Sequence, residues 1–160
     1  MRYVGMCLLF AAAALVSRMY ERRQQQGRTQ TDAMLRLLSA LRREVACYAK
    51  PLGAFAATYT DEVLEQLSFL PVLREEGTLP EALRAAEERG CLSRPMCELL
   101  TRFAAAFGTG YREDELRAMD AVIDEAQALY RAEEETRPKR CRLCRTLCVS
   151  LALLLVLLFL

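Results

Sequence analysis

Leu116-Arg117-Ala118-Met119-Asp120-Ala121-Val122-Ile123-Asp124-Glu125-Ala126-Gln127-Ala128-Leu129-Tyr130 is the stretch that decides the fold. Its apolar residues Leu116, Met119, Ile123, Ala126 and Tyr130 recur at steps of three and four. That period lines one face of an α-helix and forms a narrow packing seam; a strand would alternate at two. Arg112-Glu113-Asp114-Glu115 precedes it as an acidic first turn that complements the helix dipole. The spacing predicts a helix from Tyr111 to about Glu135.

A second seam lies earlier, at Met34, Leu38, Leu41, Val45 and Tyr48. Thr29-Gln30-Thr31-Asp32 offers side-chain caps at its start, and Lys50-Pro51 breaks it. Short helices are expected from Pro51 to about Tyr59 and from Asp61 to about Leu70, with Pro71 and Glu76-Gly77 as punctuation. Thr78-Leu79-Pro80-Glu81 reads as a capping box opening a helix to Arg89, with Gly90 as a left-handed stop. Ser93-Arg94-Pro95 opens a further helix with Leu99, Leu100, Phe103 and Phe107 as its apolar face, closed by Gly108. Ala and Leu supply 51 residues against 18 for Val, Ile and Thr, a balance that favours helix over sheet. No stretch alternates at period two between turn signals, and no internal repeat is visible.

Outward from the seams lie two uncharged runs of 15 residues, Tyr3–Ser17 and Thr146–Leu160. Each spans roughly 22 Å as a helix, short of the ~30 Å hydrocarbon core, and long Arg side chains can extend the usable length by snorkelling. Leu151 to Leu160 is apolar on every face, so the C-terminal run reads as a membrane anchor. The N-terminal run also has the look of a signal peptide. The arginines directly after it favour an uncleaved anchor. Arg18, Arg22, Arg23 and Arg28 follow the first run; Arg137, Lys139, Arg140, Arg142 and Arg145 precede the second. Between them, residues 29–136 hold 12 basic against 20 acidic residues, a net of −8. A chain basic at two membrane-side collars and acidic between them is not built to bind nucleic acid. The positive-inside rule puts residues 18–145 in the cytoplasm. The expected architecture is all-α: a small antiparallel helical bundle, 29–136, flanked by two short transmembrane helices. The N-terminal anchor and collar take residues 1–23 and the C-terminal collar and anchor 137–160. The two seams pair antiparallel, because each has one end at the same membrane surface.

The chain resembles the stage III sporulation protein AB family of endospore-forming bacteria. The resemblance rests on Leu41-Arg42-Arg43-Glu44-Val45 with Tyr48 and Pro51-Leu52, and on Leu99-Leu100, Phe103 and Phe107-Gly108 followed by Arg112-Glu113-Asp114-Glu115-Leu116. Acidic Glu133-Glu134-Glu135, running into a basic turn and a Leu-rich end, completes it. This chain has Ala104 where the family tends to have Gly, and Pro138 in a normally continuous helix. The resemblance implies a helical domain similar to the cytoplasmic domains of type II secretion F proteins. It implies a structural role in a secretion-like channel between mother cell and forespore, in the mother-cell membrane facing the forespore. The implied partners are other stage III sporulation proteins, including a secretion-type ATPase, stage III sporulation protein AA.

The residues themselves offer little chemistry. There is no His, which removes the usual general base near neutral pH and the commonest metal ligand. No serine has a base to activate it, and the acidic pairs are sequence neighbours on differing helix faces. The expectation is therefore no enzyme and no cofactor. Cys141, Cys144 and Cys148 share a helical stripe and include a Cys-x-x-Cys. A metal or redox protein is the alternative they raise. A zinc site would need a fourth ligand, and the plainer reading is small apolar residues atop an anchor helix. A second alternative is a general secretion or pilus platform subunit, disfavoured by size. Arg112, Glu113 and Asp114 form a possible partner-binding edge; a dipole-complementing first turn with local pairing is the bland reading.

Overall fold

A computed structural model describes residues 2–47, 52–108 and 110–158, and every element among them is an α-helix. In chain order these are α1 (Arg2–Cys47), α2 (Leu52–Thr58), α3 (Glu62–Gln66), α4 (Phe69–Glu76), α5 (Leu79–Arg89), α6 (Arg94–Ala106) and α7 (Arg112–Leu158). The chain divides into two compact units, Gln26–Arg131 on the one hand and Met1–Gln25 with Ala132–Leu160 on the other.

Several expected boundaries move, each for a physical reason. No helix starts at Thr29-Gln30-Thr31-Asp32; α1 runs straight through. The capping side chains find partners within helical geometry instead. The Thr31 hydroxyl donates to the Gly27 carbonyl one turn back (2.9 Å), and Asp32 pairs with Arg36. Asp61 does cap α3, accepting from the backbone N–H of Val63 and Leu64, but that helix ends at Gln66. Ser68, left-handed at φ 60°, then turns the chain into α4, and Pro71 falls in the first turn of that helix, where its missing N–H costs nothing. Thr78 sits at the N-cap of α5 without capping it; its hydroxyl donates to Glu81 (2.8 Å). Gly90 is extended, not left-handed. Pro138 lies inside α7, which continues to Leu158 although an interior proline costs about 3 kcal/mol relative to Ala. Good helix formers on both sides, from Glu133 to Arg142, carry the helix past it.

Among the described residues, the buried core lies wholly within Gln26–Arg131. From α1 it takes Ala33, Met34, Leu37, Leu38 and Leu41, a broader face than the expected seam. Leu64, Phe69, Leu70 and Leu73 lie at its centre, each no more than 1% exposed. Helix α4 packs against α2, α3 and α5, and α5 against α6. Among the described side chains of α7 only Met119 and Ala126 are fully buried; Leu116, Ile123 and Tyr130 are half-buried. Tyr48 lies outside the described residues. Three contacts fix the relation of α1 to α7 in this unit: Arg28 to Tyr130, Arg42 to Asp120, and Arg112 to Val45 and Ala46. Ascending positions on one helix meet descending positions on the other, so the pair is antiparallel as expected.

In the other unit, the Arg137 guanidinium donates to the Gln24 carbonyl. Its exposed large apolar residues are Leu15, Val16, Met19, Leu143, Leu147, Val149, Leu151 and Leu154. Among the described residues no helix is long and apolar enough to cross a membrane, so the expected flanking transmembrane helices find no support in the fold itself. Each uncharged run is short and passes directly into a helix studded with arginines.

Candidate functional site

The first turn of α7 carries Arg112, Glu113 and Asp114, and the structure separates their roles. Helix α1 has no basic residue in its last turn, so its terminal carbonyls need donors from elsewhere. Arg112 supplies them. Its Nε donates to the Val45 carbonyl at 3.0 Å and its terminal nitrogen to that of Ala46. Arg74 does the same at the end of α2, donating to the carbonyls of Ala56 and Tyr59, both at 2.9 Å. Arg112 is thus an internal tie between the two long helices. Glu113 and Asp114 stay exposed, with Arg117 within 4.0 and 3.5 Å.

Beside Arg112 opens a groove of about 650 Å³. Leu41, Leu52, Leu79 and Phe107 form its apolar wall, and Glu44 and Glu115 lie among its lining. These residues come from distant parts of the chain, so no local pattern announces the groove. Helix α1 also carries two arginines in ion pairs. Asp120 accepts from Arg42 (3.0 Å), and this hydrogen bond, more than the general attraction of the charges, holds its carboxyl below the usual range. Arg36 bridges Asp32 and Asp61.

A further polar knot was not legible in the sequence. Gly27 and Gln30 of α1 meet the segment after α5. The Cys91 N–H donates to the Gln30 side chain at 2.6 Å, and a Cβ at Gly27 would stand 2.7 Å from the Cys91 carbonyl. Ser93 at the N-cap of α6 leaves its buried hydroxyl without a partner, so the expected cap is made by backbone alone. Cys141 and Cys144 are half-buried, and the Cys148 side chain lies outside the described residues. Among the described residues no three Cys, Asp or Glu side chains gather closely enough to hold a metal ion. Burial, then the negative charge of Glu87, pushes the Cys97 thiol up, away from the reactive thiolate.

The described residues form the all-helical architecture expected from the resemblance. The family model for Stage III sporulation protein AB matches residues 2–160. The chain belongs to the stage III sporulation protein AB family. Its role therefore lies in sporulation. No curated protein and no solved structure matches the chain. Within the family frame, the motif around Arg112 reads as the junction that closes the helical domain, with Glu113 and Asp114 as its outward part.

Proposed function

We propose that this protein is a non-enzymatic structural component of a secretion-like channel apparatus required for endospore formation. It sits in the mother-cell membrane facing the forespore, held there by its two terminal segments, with the domain 26–131 in the cytoplasm. Its partners are other stage III sporulation proteins, including the secretion-type ATPase of the same set. The observation that carries the reading is family membership along residues 2–160. Exposed apolar side chains support the membrane part: Leu15, Val16 and Met19 on one arm and Leu143, Leu147, Leu151 and Leu154 on the other need a cover that water does not give. Arginines that snorkel make up the missing length of each run.

The test is topology in sporulating cells. A reporter fused after Leu160 is expected to be active only outside the cytoplasm, and one inserted at Gly77 only inside. The opposite pattern overturns the orientation and docking to a cytoplasmic ATPase along with it.

A further inference from the structure

The contact between Arg137 and the Gln24 carbonyl sets a level in the unit formed by Met1–Gln25 and Ala132–Leu160. It joins the last residues of one arm to the first residues of the other, so the arms run side by side in opposite directions from that point. Arg18 and Arg22 lie six and two residues from Gln24; Lys139, Arg140 and Arg142 lie two to five residues beyond Arg137. At 1.5 Å rise per residue, all five cations fall within about 9 Å of one level along the pair. Arg23 joins them, one residue from Gln24. All six are exposed. Glu21 is the single acid among residues 18–23 and 137–145. Directly beyond the belt the exposed surface turns apolar, with Leu15 and Val16 on one arm and Leu147 and Leu151 on the other.

A cationic belt on the edge of an apolar surface has the layering of a bilayer leaflet, with phosphates outside and hydrocarbon inside. We propose that the belt of Arg18, Arg22, Arg23, Lys139, Arg140 and Arg142 binds the phosphate headgroups of anionic phospholipids. The partner is the lipid surface itself: guanidinium groups pair with phosphate oxygens in a planar, two-point manner, and the adjoining apolar residues hold the acyl chains. Two arms bearing cations at one level present them together, so several headgroups are engaged at once. Zwitterionic lipid offers the same phosphate already neutralised by its own ammonium, so the belt selects for net negative charge. The proposal rests on the membrane reading above and adds the lipid class to it.

The experiment synthesises the full chain in a cell-free system with vesicles of phosphatidylcholine alone or with added phosphatidylglycerol, and follows flotation at low and high salt. Alkaline carbonate extraction separates inserted from surface-bound protein. The parent is expected to float with both vesicles but about tenfold or more in favour of the anionic ones, with the preference erased by salt. The variant Arg18→Gln, Arg22→Gln, Arg140→Gln, Arg142→Gln is expected to lose the preference while still resisting carbonate. The same four positions changed to Lys are expected to keep it, which separates loss of charge from loss of fold. Equal flotation of parent and Gln variant with both vesicles overturns the headgroup proposal and leaves the anchor reading standing. Flotation with anionic vesicles only, reversed by salt or carbonate, supports the belt and overturns the anchor. Flotation with neither overturns both.

Discussion

Gly27 shows two residue-scale effects pulling against each other. Replacing a mid-helix glycine by alanine ordinarily stabilises a helix by about 1 kcal/mol. Here the new Cβ would stand 2.7 Å from the Cys91 carbonyl, a backbone atom that cannot rotate aside. Overpacking of this kind costs about 1–3 kcal/mol, and moving the segment also endangers the hydrogen bond from Cys91 to Gln30. Gly27→Ala is therefore expected to lower stability, read as the midpoint of chemical unfolding; a raised midpoint would mean the crossing is looser than described. Arg112 gives a second residue-scale expectation. Arg112→Ala should cost about 1 kcal/mol, because two charge-assisted bonds to α1 carbonyls are lost but water can partly replace them. Amide exchange should quicken in the last turn of α1 before anywhere else. Asp120 adds a pH dependence. Its carboxyl is held down by Arg42, so its contribution is present above the ordinary carboxylate value of about 3.9 and fades as pH falls through the lower folded value. Parent and Asp120→Asn should thus differ at neutral pH and converge in acid, with the gap narrowed by salt since the pair is half exposed. A gap that widens in acid would contradict the sign. Arg36 and Asp120 look like free surface positions from spacing alone; both are ion-paired.

Among the elements, the two long helices contribute unequally. Leu41 on α1 is 3% exposed and Met119 on α7 is 0% exposed, whereas Ile123, mid-seam by spacing, is half-buried against the core. Truncation to Ala should cost about 2–5 kcal/mol at Leu41 or Met119. Ile123→Ala should cost less, about 1–2 kcal/mol, because its cavity opens partly to water. Gln127→Ala, exposed on α7, is the control and should stay within about 0.5 kcal/mol. Thermal unfolding of the four variants checks the order; a larger loss at Ile123 than at Met119 would mean that α7 is rotated about its axis. The reason for the inequality is geometric. Helix α1 buries Ala33 and Leu37 as well as Met34, Leu38 and Leu41 of the seam, which takes a wider stripe than contact with one partner helix requires.

At the scale of the molecule, every fully buried apolar side chain described belongs to residues 26–131. A fragment of those residues is expected to fold alone and to unfold in one cooperative transition, read by circular dichroism and by tyrosine fluorescence together. Non-coincident transitions would assign part of the stability to the arms. The described arms present the opposite situation, with exposed Leu, Val and Met beside exposed arginines.

The sequence by itself determined the all-helical class and the family. Those follow from period, composition and the order of motifs, which are local or additive properties of the chain. Helix ends followed less well. Thr31, Asp32 and Pro138 carry strong local signals for a break, yet α1 and α7 pass through them, because a hydroxyl can bond one turn back and good helix formers flank the proline. Only the tertiary structure decided that Arg112 and Arg74 cap helices distant in sequence, that Gly27 is a crossing point, and that Ile123 sits at the margin of the core. Each depends on which residues from far along the chain arrive at one place, and no spacing along one helix encodes that.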